Sequence, residues 1–571
     1  MSYTVTGGNN DASVYLTEQT RNGITFLTVD VSRPAPSIPE PIRVQWSFPA
    51  NGCISTWNPA HHDANLGTDW APVTMNSRLA SWLPLQVLLA SENRNKLLIA
   101  VSDVDTPLRI QTGICEEDAT FACTVELFTL PTNPTTHYSA VIRLDTRDIP
   151  FYDAVYDTVS WWETECGYTA AFIPEHAKLP MDSLWYSFHQ MLDKDEILKE
   201  CRASKALGME SVIIDDGWQT DDNNRGYAYC GDWEPTEKKM GNMAELSDEL
   251  HNLGMKVILW FSVPFVGLYA KQYSAFQGML LDGGGNGDNA FSLDPRYKKV
   301  REYLVGIYEH AVRDWHLDGL KLDFIDNFAL RGKSLEYDSA RDFQSLEEAI
   351  HALMSEVYQK LRALNPDILI EFRQSYIGPS IRKYGNMLRA GDCPCDIRRN
   401  RASVINLRLT SGNTAVHSDM IMWNVADTVE NAALQFVNIL YSVPQISMRI
   451  DMLPEKQRKM LQFYIHFWKT WREVLLDGKL TAEHPECGYT SACSTLGDKA
   501  VATVYTNPVV SVSTAETVIV NASGQPYILV QNAMGKTYSV VNCMGEPMDK
   551  GTVCSQLAQI SVPTAGIVYL R

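Results

Sequence analysis

The sequence predicts a multidomain α/β and β protein, a (β/α)8 barrel flanked by an N-terminal β-sandwich and a small C-terminal β-sandwich. Three observations carry that prediction. Between about Leu179 and Leu475, apolar strand-like runs alternate with amphipathic helical segments about eight times, the rhythm of a barrel rather than of a doubly wound sheet. On both sides of that region short β-type runs, punctuated by Pro and Gly, replace the helical periodicity. Charged side chains also recur where several of the alternating strands end, which is where a barrel gathers its functional groups. The expected domains are residues 1–175, 176–480 and 481–571.

The first domain is read from runs such as Gly23–Val29, Leu85–Ala90, Lys96–Val101 and Tyr138–Leu144, with no long helical period among them. In the second, Ser183–Phe188 reads as the first strand. A helix follows over Asp193–Ala206, with an acidic first turn. Ser211–Asp216 is the next strand. A helix at Met243–Leu253, closed by Gly254, precedes the strand Lys256–Phe261. The helix Tyr297–His316 leads into a strand at Gly319–Phe324. The helix Leu346–Leu364, stopped by Asn365-Pro366, leads into Ile368–Phe372. Shorter strands are expected near 386–390, 414–417 and 445–448, with helices over Glu430–Tyr441 and Pro454–Leu475. The third domain rests on Ala500–Tyr505, Thr517–Val520, Tyr527–Val530, Tyr538–Val541 and Gly566–Leu570.

A net charge of −19 and a pI near 5.1 argue against nucleic acid or an anionic membrane as partner, and the local cluster Arg398, Arg399, Arg401 does not reverse this. The start of the chain lacks a basic, then apolar, leader pattern, and no apolar run approaches about 18 residues. The 12 cysteines show no framework spacing and read as reduced thiols, so a cytoplasmic location is expected. Cys393 and Cys395 flank Pro394 without further ligands at metal spacing; no metal and no cofactor are expected.

The stretch Gly319–Asn327 organises the functional reading. Side chains alternate along a strand, so Lys321 and Asp323 share one face and Leu322 and Phe324 the other. Asp326, three positions on, would lie on the opposite face if the strand continued. Other strand ends supply Asp215-Asp216, Trp260, Arg373, Arg389 with Asp392, and His417-Ser418-Asp419. No Gly-x-Ser-x-Gly elbow is present. Two carboxylates on separate strands, with aromatic and polar groups around them, suit glycoside hydrolysis, which needs one ionised carboxylate and one protonated carboxyl. Lys321 favours the ionised form of Asp323.

Asp215-Asp216-Gly217-Trp218, Gly231-Asp232-Trp233, the Lys256–Trp260 strand, Lys321-Leu322-Asp323-Phe324 and Arg389-Ala390-Gly391-Asp392, in that order, resemble glycoside hydrolase family 36, the α-galactosidase family. The resemblance implies that Asp323 is the nucleophile and Asp392 the general acid/base. It further implies that Asp215 and Asp216 hold the 4- and 6-hydroxyls of the sugar, that Lys321 and Arg389 make further hydroxyl contacts, and that Trp260 and Trp233 form aromatic walls. One departure stands out. Arg373-Gln374-Ser375-Tyr376 occupies the place where many α-galactosidases carry a Cys-Ser-Gly-Gly type turn beside C2, so Arg373 is a candidate reader of the 2-substituent or electrostatic support for the carboxylates. The expected activity is that of a retaining exo-α-glycosidase of α-galactosidase type. An α-N-acetylgalactosaminidase, a galactosaminidase or an α-galactosyl transglycosylase of the same family are the alternatives, and a catalytically inactive carbohydrate-binding protein is the reading from another class. The expected partners are a small oligosaccharide or glycoside and, at most, further copies of the chain in a homo-oligomer.

Overall fold

The computed structural model describes residues 2–60, 65–285 and 287–571. Its centre is a ring of eight parallel strands: β1 (Met181–Ser183), β2 (Ser211–Ile214), β3 (Lys256–Ser262), β4 (Gly319–Asp323), β5 (Leu369–Arg373), β6 (Met387–Arg389), β7 (Ala415–His417) and β8 (Gln445–Ile446). Each strand pairs with its sequence neighbour, β8 returns to β1, and a parallel bridge between His417 and Val443 links the two ends of the sheet. Helices α1 (Lys194–Leu207), α2 (Met243–Asn252), α3 (Lys298–Asp314), α4 (Leu346–Leu364), α5 (Ile397–Thr410), α6 (Val429–Val437) and α7 (Glu455–Asp477) lie between or after these strands. Capping sets several of their ends. Asp193 accepts hydrogen bonds from the Asp195 and Glu196 amides at the start of α1, Gly208 closes it with φ +103°, and Ser345 caps α4 through the Glu348 amide.

The two faces of the strands explain how one sequence yields both a core and a mouth. Outward residues, among them Val212, Ile214, Val257, Leu259, Leu320, Leu322, Ile370 and Phe372, pack into one apolar cluster with the helices. Inward residues form layers. The lower layer is apolar, with Met181, Ile213, Ile258, Leu369, Met387 and Ala415 packed over Ala177. Gly319 belongs there too, because a Cβ on it would lie 2.4 Å from the Leu369 carbonyl oxygen and 2.6 Å from the Leu369 Cβ. Two residues further along the same strands the interior turns polar, with Asp215, Trp260, Lys321, Glu371, Arg389 and His417, all buried. A period of two thus places the apolar plug below and the charges above it.

Three sequence expectations are corrected. Ser183–Phe188 is not one strand: β1 ends at Ser183, and Trp185–Phe188 is a helical turn. The region before the barrel is not all β, because Phe151–Thr164 is a helix that buries Phe151, Ala154, Val155, Val159 and Trp162, a stripe of helical spacing legible in the sequence. Helix α5 was not anticipated either. It is buried nearly all round, with Arg401 and Arg408 spending their hydrogen bonds on internal acceptors, so no amphipathic stripe marks it.

The N-terminal domain packs a five-stranded sheet against a six-stranded sheet that ends at Asp145. The C-terminal sheets, seven- and three-stranded, begin at Lys479. A three-stranded insertion (Phe265–Gly267, Leu280–Gly285 and Ala290–Leu293) follows β3. Among the described residues, no helix is long and apolar enough to cross a membrane.

Candidate active site

The side chains singled out by sequence converge at the carboxyl ends of the barrel strands. Asp323 closes β4 and is nearly buried. Its Oδ2 accepts the Trp260 indole N–H at 3.0 Å, and its Oδ1 accepts Arg373 Nε at 2.5 Å and the Phe324 amide at 2.8 Å. Burial alone would raise its pKa, but Arg373, Lys321, Arg389 and the indole outweigh it and hold the carboxyl at about 2. Asp323 is therefore held as an anion at neutral pH, anchored on both oxygens. Phe324, at φ +66°, turns the chain away at this point. That turn corrects the alternation expected for Asp326. Beyond the strand end the period of two no longer applies, and Asp326 comes back to face Arg373 Nη2 at 3.5 Å and the Ser375 hydroxyl at 3.0 Å.

Lys321 is fully enclosed and donates to Asp215 Oδ2 at 2.7 Å, an ion pair with both side chains about 4% exposed. Asp216 is engaged by the protein: Gln190 and Gln219 donate to its two oxygens at 2.6 and 2.7 Å, and burial raises its pKa to about 6 despite them. Arg389, on β6, reaches three carboxylates: Asp392 at 2.9 Å, Asp419 at 2.7 Å and Glu371 at 3.5 Å. Asp392 has a side chain 55% exposed, the open carboxylate of the group. Burial of its surroundings opposes ionisation, but Arg389 and Lys321 keep its pKa below the ordinary value. Asp419 is fully buried and accepts the Tyr186 hydroxyl at 3.0 Å and the Cys393 amide at 2.7 Å; burial raises its pKa against the pull of Arg389.

The two tryptophans differ in place. Trp260 presents its N–H to Asp323 while its ring is covered by Tyr227, stacked at 6.0 Å and 24°. Trp233 lies behind it, only 3% exposed and packed on Trp218, Phe261 and Trp260. Trp260 is itself 1% exposed, so neither ring offers the open aromatic face expected of both, and Trp260 differs in reaching Asp323 through its indole N–H.

Sequence reasoning passed over Glu371, Tyr186, Gln190 and Tyr227. Glu371 carried a usable signal. It stands two residues before Arg373 in an apolar strand, as Lys321 stands two before Asp323, and the register sets Lys321 beside Glu371. The others sit on loops and a helical turn where no periodicity points inward.

The N-terminal sandwich reaches this face. Arg78 bonds Glu347 at 2.9 Å and the Asp326 carbonyl at 2.8 Å, the Trp82 amide donates to the Ser375 carbonyl at 2.7 Å, and Gln374 bridges the Pro59 carbonyl and the Gly391 amide at 3.3 and 3.2 Å. The loops carrying Arg373 and Asp392 are thus braced by a second domain.

Residues 181–383 match the Melibiase family model. An α-galactosidase of Lactobacillus acidophilus is 29% identical over 197 residues, 33% of this chain and 26% of its own length. An A type blood α-D-galactosamine galactosaminidase of Flavonifractor plautii is 26% identical over 182 residues, 29% of this chain and 16% of that protein. The matched segments therefore span well under half of these relatives. In fold, the family 36 α-galactosidase AgaA of Geobacillus stearothermophilus, solved with raffinose, superposes with a TM-score of 0.67 at 13% identity, over 98% of this chain and 81% of that one. Over residues 181–383 the chain is thus similar to the Melibiase family, and its fold is similar to that of the family 36 α-galactosidases.

Proposed function

We propose that the protein is a retaining exo-α-glycosidase that removes terminal α-galactosyl-type residues from small oligosaccharides or glycosides. The observation that carries this reading is the contrast between Asp323, a buried anion fixed by Trp260 and Arg373, and Asp392, an open carboxylate tied to the same cluster through Arg389. In the first step an Asp323 oxygen bonds the anomeric carbon as the glycosidic C–O bond breaks, and the Asp392 proton passes to the leaving oxygen. In the second, water attacks that carbon, gives its proton to Asp392, and the ester to Asp323 breaks. The free enzyme holds Asp392 ionised. A bound sugar that strips its water raises its pKa, while Asp419 and Glu371 continue to balance Arg389. Esterification of Asp323 then removes a neighbouring negative charge, which favours ionised Asp392 and its change from acid to base.

Asp215, with Asp216 braced beside it, is the group proposed to hold the 4- and 6-hydroxyls, together with Lys321. A site built to bond a hydroxyl discriminates strongly against an epimer that misplaces it. Arg373, in direct contact with Asp323, supports the nucleophile's charge rather than reading C2. A panel of aryl α-glycosides varied at C2 and C4, with the first-formed anomer followed by NMR, tests the reading. Galacto preference and a first-formed α-anomer are expected; a β-anomer, or equal cleavage of gluco substrates, overturns it. The same assay with an added sugar acceptor measures transfer against hydrolysis.

A further inference from the structure

We propose that Asp419 is a positioning residue for the acid/base: it takes up one N–H of Arg389 beside Asp392, holds the next amide of the Asp392 loop, and so keeps Asp392 available as a proton donor. The inference rests on the glycosidase reading above. Strands β6 and β7 pair with Arg389 beside His417, which brings Asp419, two residues after β7, next to the guanidinium. Asp419 is fully buried. Its Oδ1 accepts Arg389 Nη1 at 2.7 Å, and its Oδ2 accepts the Cys393 amide at 2.7 Å and the Tyr186 hydroxyl at 3.0 Å. The backbone is fixed as well. The Asp419 amide donates to Asn400 Oδ1, and Asn400 Nδ2 donates back to the Asp419 carbonyl, both at 3.1 Å.

Three oxygens compete for the two hydrogens of Arg389 Nη1. The directed bonds go to Asp419 and to the Ala390 carbonyl at 2.9 Å, while Asp392 Oδ1 lies 2.9 Å from the same nitrogen. Glu371 meets the other edge of the guanidinium, 3.5 Å from Nε, and leaves Nη1 to the two aspartates. The competition matters because an arginine given to one carboxylate alone forms a charge-assisted pair that holds it ionised. Asp392 must carry a proton to the leaving oxygen, so a full pair with Arg389 would disable it. Arg389 and Lys321 favour ionised Asp392 and Asp323 opposes it; Tyr186, Arg389, Asp392 and Cys393 are the titratable groups that face Asp419. The effect is one-sided. Asp392 is an acid in the first step and a base in the second, so losing the Asp419 charge impairs the first and spares the second.

The test compares wild type and Asp419→Asn on an alkyl α-galactoside and on an aryl α-galactoside with a very good leaving group. With the charge gone, Arg389 is left to Asp392, whose ionised form gains. On the alkyl substrate, whose leaving oxygen must be protonated, kcat/KM is expected to fall about tenfold at neutral pH, and the basic limb of the kcat–pH profile to move down by about one unit. The aryl substrate is expected to stay within about twofold. Equal losses on both substrates, or no loss on either, overturn the inference alone. If Asp419→Asn does not fold, Tyr186→Phe removes one donor from Asp419 and so favours its neutral form. The same split at smaller size is then expected, and equal losses or none again overturn the inference. A wild-type protein that cleaves neither galactoside overturns the glycosidase reading, and this inference with it.

Discussion

Asp323 and Arg373 show how one contact can set a catalytic group. The guanidinium supplies much of the force that keeps Asp323 at about 2 against the opposing effect of burial. Removing it disfavours the anion, so Arg373→Ala is expected to move the acid limb of the kcat/KM–pH profile upward by about one unit or more, and to lower all substrates in proportion. A change confined to substrates that differ at C2 would instead make Arg373 a reader of that position. Asp323→Ala is expected to reduce turnover by about three orders of magnitude or more, with azide restoring it and giving the inverted β-glycosyl azide. Asp392→Ala is expected to spare the first step for aryl glycosides with very good leaving groups, which need little protonation. Near wild-type turnover by the Asp323 variant would remove it from the nucleophile's role.

At the level of the strand, the alternation that brings Lys321 and Asp323 into the mouth also buries His417. Its Nε2 faces the Ala177 carbonyl at 2.8 Å and its Nδ1 faces Gln445 at 3.3 Å, and burial lowers its pKa to about 4. A folded-state pKa below the unfolded value near 6.5 means that the unfolded chain binds the extra proton first. Stability from this group is full above about pH 6.5 and is lost as the pH falls toward 4. Between pH 7 and 4.5 the loss is on the order of 2 kcal/mol by linkage. Urea unfolding at the two pH values is expected to show a smaller loss in His417→Gln; an equal loss would place the acid sensitivity elsewhere. Gly319 makes a second case on β4, where the Gly319→Ala methyl would strike Leu369. A substantial fall in melting temperature is expected, since overpacking a closed layer costs about 1–3 kcal/mol.

Across the whole molecule, the N-terminal sandwich acts as a brace for the mouth. Glu347 is 6% exposed and has one oxygen on Arg78 and the other without a partner among the described residues, so Arg78→Ala would strand a buried carboxylate. Breaking such a pair costs about 3–5 kcal/mol, with the lower end expected for a guanidinium that is itself 13% exposed. The same variant frees the Asp326 carbonyl, so faster amide exchange is expected at residues 325–328, which begin two residues from Asp323. Unchanged exchange there would limit the brace to stability alone.

The barrel was legible in the sequence because its helices are amphipathic and its strands apolar, and both periods follow from backbone geometry and burial alone. The same period of two put Lys321 beside Asp323, and it would have exposed Glu371 beside Arg373 had it been applied to the next strand. Elements without a periodic face stayed hidden, as α5 shows, because a helix buried all round has no polar side to mark it. The partners of each charge were decided only by the tertiary structure. That Asp216 meets Gln190, that Lys321 meets Asp215, that Arg373 bonds Asp323, and that Trp233 sits behind Trp260 are consequences of closing eight strands into a ring. Closure brings together residues tens to hundreds of positions apart, and local patterning determines which way a side chain points but not what it meets.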